Sequence, residues 1–144
     1  MKGPDPREEA APVEDVPRLL REGAREWGER RFWHAHEAWE SAWHALRAAQ
    51  REDDARYVRG MILVAAALEN ATRQKEAGFK RQFAEGLHAL LGAEGAGERL
   101  GLADAPRWER ALAALYADAC RRRAWRWWND PGWEAPPIAW RDAP

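Results

Sequence analysis

One histidine and three glutamates of this chain have the types and spacing of a polar site. His36 and Glu40 stand four residues apart, so on a helix their side chains are neighbours one turn apart. Glu37 lies between them in sequence, and Glu69 follows a long apolar run. Imidazole and carboxylate groups bind several divalent metals, and they also act as general acids and bases. Two chemistries are therefore open, namely metal binding and proton transfer.

The residues around His36 predict a helix that turns this pair toward the protein interior. At about 100° per residue, the aromatic and aliphatic side chains form one face that includes His36, with Glu40 beside it. Buried polar groups cost free energy unless they are paired, so the pair is either a structural hydrogen bond or a site. The face comprises Phe32, His36, Trp39, Trp43 and Leu46. The predicted pocket is lined by His36, Glu37, Trp39, Glu40, Trp43 and Glu69.

Two functions can be built on this pocket. In the first, a non-enzymatic binding or interaction module uses the His/Glu pocket to hold a small ligand or a structural network, with no cofactor. In the alternative, His36, Glu40 and Glu69 bind a divalent metal in a hydrolase-like enzyme, with Glu37 as a possible base. The spacing is not a His-Glu-x-x-His motif, because Glu40 stands where the second histidine would be. The residues favour the binding module.

The elements that position these residues are all predicted to be helical, and no alternating strand pattern occurs. Asp15 and Asp104 are plausible helix N-caps, and Pro17 and Pro106 fit the first turns that follow. We expect a single-domain, all-α bundle of five helices, because five segments have helical periodicity. The predicted helices span 15–28, 30–50, 55–74, 79–91 and 104 onward, and the glycine-rich segment 92–101 is predicted to be a loop.

The two ends of the chain differ in composition from the bundle. Residues 1–14 are rich in proline, alanine and glutamate without periodicity, which predicts a mobile arm. The bundle domain is predicted over residues 15–124, and a Trp/Pro-rich extended tail over 125–144. The tail packs on the bundle as a clasp or joins two chains in a homodimer, and the sequence leaves both open. Its apolar side chains are Trp127, Trp128, Trp133, Ile138 and Trp140.

Charge and hydropathy exclude some partners. The net charge is −1, so the whole chain has no electrostatic attraction to nucleic acid, and nucleic acid is not favoured as a partner. The longest apolar run, residues 61–68, is too short for a membrane span. With no signal-peptide pattern, we expect a cytoplasmic protein. One local exception combines arginine with tryptophan, as single-strand binding surfaces do: Arg121, Arg122, Arg123, Trp125, Arg126, Trp127 and Trp128.

The stretch from residue 28 to 43, followed by the Gly-initiated, Ala-rich stretch 59–68, resembles domain-of-unknown-function family 309. These are small all-helical bacterial proteins with no established activity. The resemblance covers residues 15–91 and matches the family pattern at His36, Glu37, Glu40 and Gly60. It implies an all-helical fold. The chain departs from the pattern at Leu63, where many members have glutamine, and at Glu69, where a histidine often follows.

Overall fold

The computed structural model describes residues 10–121 and 133–141 of the chain. Within these ranges the chain forms six α-helices and no β-strand, which confirms the all-α prediction. A 3-10 turn, Val13–Asp15, leads into the first helix. The helices are α1 (Val16–Gly28), α2 (Phe32–Ala48), α3 (Glu52–Thr72), α4 (Glu76–Gly92), α5 (Ala96–Arg99) and α6 (Ala105–Arg121).

The short helix α5 lies where the sequence predicted a loop, and that prediction is wrong. Its first two residues, Ala96 and Gly97, are buried. A Cβ added to Gly97 would lie 2.5 Å from the Ala105 Cβ and 2.9 Å from the Tyr57 ring. The glycine content that suggested a loop therefore provides close packing of α5 on α3 and α6.

The turns between the first four helices share one backbone conformation. Arg30, Gln50 and Gln74 have φ near +60°, the left-handed region that ends many helices. In each turn the following N–H bonds back to a carbonyl of the preceding helix, as in Arg31 N to Glu26 O at 2.8 Å. These turns return the chain sharply, so α1 to α4 pack as consecutive neighbours. The first helix ends at Gly28, as the sequence predicted, and Arg30 supplies the left-handed residue of the turn that follows.

Two pairs of helices approach closely through glycine. A Cβ on Gly60 of α3 would lie 2.8 Å from the carbonyl oxygen of Gly86 of α4. A Cβ on Gly23 of α1 would lie 2.2 Å from Trp39 Nε1 of α2. The Trp39 ring is fully buried, and its Nε1 donates a hydrogen bond to Leu20 O at 3.0 Å. The absence of a side chain at both glycines therefore sets the spacing of the bundle.

Residues 133–141, here called the C-terminal strap, pack against the helices of their own chain. The indole nitrogens of Trp27 in α1 and Trp108 in α6 both donate to Pro136 O, at 2.9 and 3.0 Å. The strap also pairs with residues before α6, through Ala103 N to Ala139 O at 2.8 Å. Of the two alternatives for the tail, the described part forms the clasp. A homodimer stays a prediction, and Trp127 and Trp128 lie outside the described residues.

Among residues 10–121 and 133–141, one acidic side chain is buried, and it is fully paired. Asp54 of α3 is 4% exposed. Its two oxygens accept hydrogen bonds from Arg51 Nε and Arg99 Nε, each at 2.9 Å. Because Arg99 belongs to α5, this ion pair ties the short helix to the bundle. A buried carboxylate with two guanidinium partners meets the condition for burying charge.

Candidate functional site

His36 lies at the edge of the buried face of α2. Phe32, Trp39 and Leu46 of this face are at most 1% exposed, as their spacing predicted. The His36 side chain retains 18% exposure and stacks flat on Trp33, with ring centroids 4.8 Å apart and planes 6° apart. Trp33 itself is 48% exposed. The imidazole therefore lies against an exposed ring, while its Nδ1 is buried and has no hydrogen-bond partner among the described residues.

The prediction that Glu40 is buried beside His36 is wrong. The Glu40 side chain is 48% exposed, and its Oε2 lies 3.6 Å from His36 Nδ1, beyond hydrogen-bonding distance. Its other oxygen lies 3.9 Å from His44 Nε2. Four residues rotate a helix by about 40° beyond a full turn. From an edge position such as His36, that rotation carries the next side chain outward into solvent.

The other predicted pocket residues are dispersed. Trp39 packs in the core between α1 and α2, whereas Glu37 is exposed. Trp43 is half-buried, with the Arg47 guanidinium 5.2 Å from its ring centroid. The Glu69 side chain is 22% exposed and pairs with Arg73 at 3.0 Å on its own helix.

The predicted metal ligands are not gathered into a cluster. Among residues 10–121 and 133–141, no group of three or more His, Cys, Asp or Glu side chains could hold a metal ion. His36, Glu40 and Glu69 therefore do not form one three-ligand site in this fold.

A different concavity, the α3–α4 groove, lies on the outer face of the closest helix pair. It has a volume of about 450 Å³. Seven residues line it, three from α3 and four from α4: Arg56, Arg59, Leu63, Ala84, Glu85, His88 and Ala89. The lining is apolar at Leu63 and the two alanines and carries charge at the other positions. An apolar concavity with a few converging polar groups is the usual form of a ligand site.

Small residues at the helix crossing explain why this groove is open. Gly60 and Gly86 bring the α3 and α4 backbones together, and Gly86 also packs against Val64. The side chains that flank the crossing on α4 are alanines 84 and 89, which project little. The side chain of Arg56 extends from α3 to α4 beside this crossing. The Arg56 guanidinium reaches Gly92, where an added Cβ would be 2.6 Å from its Nη2.

The two arginines of the groove have no acidic partner. Within the described residues, neither Arg56 nor Arg59 makes an ion pair or a hydrogen bond. Their backbone positions are three residues apart, so their Cβ atoms are about 5–6 Å apart on one helix face. His88 faces the same groove from α4 and is likewise without a hydrogen-bonding partner in the part of the chain that the structure describes. Within the described residues, the groove therefore presents unpaired donors on both walls, together with the carboxylate of Glu85.

The sequence reasoning missed these residues, although Arg59 carries a readable signal. No acidic residue stands three or four positions from Arg59 in either direction, whereas Arg73 has Glu69 and Lys80 has Glu76. An arginine on a helix without such a neighbour is left with solvent or a ligand. His88 belongs to the segment 79–91, for which the sequence predicted a helix but no site residue. Its proximity to Arg59 depends on the packing of α3 against α4.

A second concavity, of about 470 Å³, is acidic and lies between α4, α5 and α6. Glu98 and Glu109 line it, and the hydroxyl of the buried Tyr57 donates to Glu109 Oε2 at 2.9 Å. Burial raises the pKa of Tyr57 well above its usual range, so the hydroxyl stays protonated. The pKa of Glu109 is raised overall, and burial is the main cause. The negative charge of Glu98 adds to the rise in this pKa, whereas the hydrogen bond from Tyr57 opposes it.

The raised pKa of Glu109 predicts a pH dependence of stability. A carboxyl whose pKa is higher in the folded state stabilises the fold when protonated, and that contribution is lost as the pH rises through the folded pKa. Glu109→Gln keeps an oxygen that accepts from Tyr57 but cannot ionise. We expect the variant to gain stability relative to the wild type as the pH rises above the ordinary pKa of a glutamate, about 4.3. Urea denaturation at a series of pH values measures this, and parallel profiles for the two proteins would contradict it.

The structure is that of an all-α bundle with a surface groove that carries two arginines, a histidine and a glutamate. The family model of a domain of unknown function, DUF309, matches residues 20–82, from the second half of α1 into α4. The resemblance to this family is thereby confirmed over that range. The matched residues include Arg56, Arg59 and Leu63 of the groove. Comparison with the curated proteins and with the solved structures finds no match.

Two further predictions concern partners. No helix in the described ranges has the length and apolar character needed to cross a bilayer. Of the residues considered for nucleic-acid contact, Arg121 ends α6, with its guanidinium 3.7 Å from Asp118. The rest of that set, residues 122–128, lies outside the described ranges. Nucleic-acid binding through this set stays a prediction, and an unfavoured one.

Proposed function

We propose that this protein is a non-enzymatic binding module whose ligand site is the α3–α4 groove and whose ligand is a small anion. One observation carries the proposal: Arg56 and Arg59 face a groove of about 450 Å³ with no acidic partner in the described residues. Guanidinium groups form charge-assisted, often bidentate hydrogen bonds with phosphate and carboxylate groups.

Phosphate-type anions suit the groove better than monocarboxylates. The guanidinium groups of Arg56 and Arg59, three residues apart on one helix, together provide enough positive charge for a dianion. His88 adds an N–H donor from the opposite wall. Leu63, Ala84 and Ala89 offer apolar surface to whatever group the anion carries. The proposal keeps the binding module that the sequence favoured and moves its site from α2 to the α3–α4 groove.

Titration with sodium phosphate at constant ionic strength tests the proposal. We expect saturable heat of binding and a saturable rise in melting temperature, because a ligand that binds only the folded state stabilises it. Arg59→Gln should weaken phosphate binding by about tenfold or more, since it removes a charge-assisted hydrogen-bond donor.

Arg81→Gln is the matched control. Arg81 is an exposed arginine of α4 that does not line the groove, and it too makes no ion pair in the described ranges. Its replacement changes the net charge equally and should leave phosphate affinity unchanged. If both variants lose affinity to the same extent, binding reflects general charge, and the proposal fails. It also fails if the wild type shows no saturable binding.

A further inference from the structure

The α3–α4 groove carries an acidic residue that the binding of a simple anion does not use. Glu85 of α4 lines the groove, is exposed, and makes no ion pair or hydrogen bond within the described residues. A carboxylate beside an anion site repels a plain anion. A ligand of this groove must therefore place a group beside Glu85 that is compatible with its negative charge.

The charges of the groove are arranged along its length. Gly86 of α4 packs against Gly60 and Val64 of α3, and Arg56 reaches Gly92. The two helices are thus antiparallel, with Arg56 at one end of the groove. Glu85 precedes Gly86 and lies at the other end, seven residues or about 10 Å along α4 from Gly92.

We infer that the α3–α4 groove binds an aminoalkyl phosphate, with the phosphate on Arg56 and Arg59 and the ammonium group on Glu85. The inference rests on the proposed function and names its ligand class. Gly60, the neighbour of Arg59, contacts Gly86 and Leu90 of α4, so Arg59 lies near the level of Ala89. One helical turn, about 5.4 Å, separates that level from Glu85, and a short carbon chain spans this distance. The methyl groups of Ala84 and Ala89 and the side chain of Leu63 line that interval.

This chemistry occurs in two sources, a free phosphorylated amino alcohol and the headgroup of a phospholipid. The free compound presents a phosphomonoester and the headgroup presents a phosphodiester, each with the same ammonium group. The lining of the groove does not distinguish the two sources, so the experiment includes an arm for each. Phosphoethanolamine represents the free compound, and vesicles containing phosphatidylethanolamine represent the headgroup.

The test compares phosphoethanolamine with ethyl phosphate, which lacks only the amine. We expect the wild type to bind phosphoethanolamine about fivefold more tightly, the effect of one additional solvent-exposed ion pair. Glu85→Gln should remove this preference while ethyl phosphate binds as well as before or better. Arg59→Gln should weaken both ligands, and Arg81→Gln should weaken neither. If the wild type binds the phosphatidylethanolamine vesicles but not free phosphoethanolamine, and Glu85→Gln abolishes the vesicle binding, the headgroup is the source.

The failures of the two proposals are distinguishable. If ethyl phosphate binds and phosphoethanolamine binds no more tightly, the ligand class is wrong while the anion site stands. The same holds if Glu85→Gln weakens both ligands equally. If neither ligand nor inorganic phosphate binds and the vesicles are not bound, the anion site itself is wrong.

Discussion

Replacing Gly23 by alanine is expected to lower the free energy of unfolding by about 3 kcal/mol. The added Cβ would lie 2.2 Å from Trp39 Nε1 and 2.4 Å from Trp39 Cδ1. The Trp39 ring cannot move away, because it is fully buried, contacts the Trp27 ring at 5.7 Å and donates to Leu20 O. The variant must therefore separate α1 from α2 or break the indole hydrogen bond.

Gly28→Ala is the control for this prediction. Gly28 is the last residue of the same helix, and a Cβ added there meets nothing within 4 Å. Alanine has the higher helix propensity, so this variant should be as stable as the wild type or more stable by up to about 1 kcal/mol. Urea denaturation followed by tryptophan fluorescence measures both. Equal stability of the Gly23→Ala and Gly28→Ala proteins would contradict the close approach of α1 and α2.

The second large effect concerns the carbonyl that two tryptophans share. Trp27 and Trp108 both donate to Pro136 O, and an oxygen with two lone pairs accepts both bonds. Replacing either tryptophan by phenylalanine removes one donor and leaves the carbonyl bonded. Replacing both leaves this partly buried carbonyl without a donor from these indoles, which costs about 1 kcal/mol more. We expect the double variant to be destabilised by more than the sum of the single variants.

A double-mutant cycle measures this excess. Its control pairs Trp27→Phe with Trp33→Phe, because Trp33 is 48% exposed and makes no bond to this carbonyl. Effects at sites that share no partner usually add to within about 0.5 kcal/mol. An additive Trp27/Trp108 cycle would show that the C-terminal strap is not held by a shared acceptor.

Burial of the aromatic residues was predictable because helical periodicity is a local property. The spacing of Phe32, Trp39 and Leu46 alone placed them on one face, and all three are buried. The start of α6 was equally local: the Arg107 N–H bonds to the Asp104 side chain at 3.2 Å, as an N-cap should. The exposure of Glu40 was not predictable in this way, because a residue at the edge of a helix face is buried or exposed according to how the neighbouring helices pack.

The sequence by itself determined the fold class, the five long helices to within about three residues at each predicted end, and the inward faces, because propensity and periodicity act within one or two helical turns. Only the tertiary structure decided that His36 stacks on Trp33 at the surface, and that Arg56, Arg59 and His88 share a groove. It also decided that the C-terminal strap closes over α1 and α6 of its own chain. The groove and the strap each join residues distant in sequence, so the packing of the helices decides them, and the Gly60–Gly86 crossing brings α3 and α4 together. His36 and Trp33 stand only three residues apart on α2, and the neighbouring helices decide that Trp33 is left exposed.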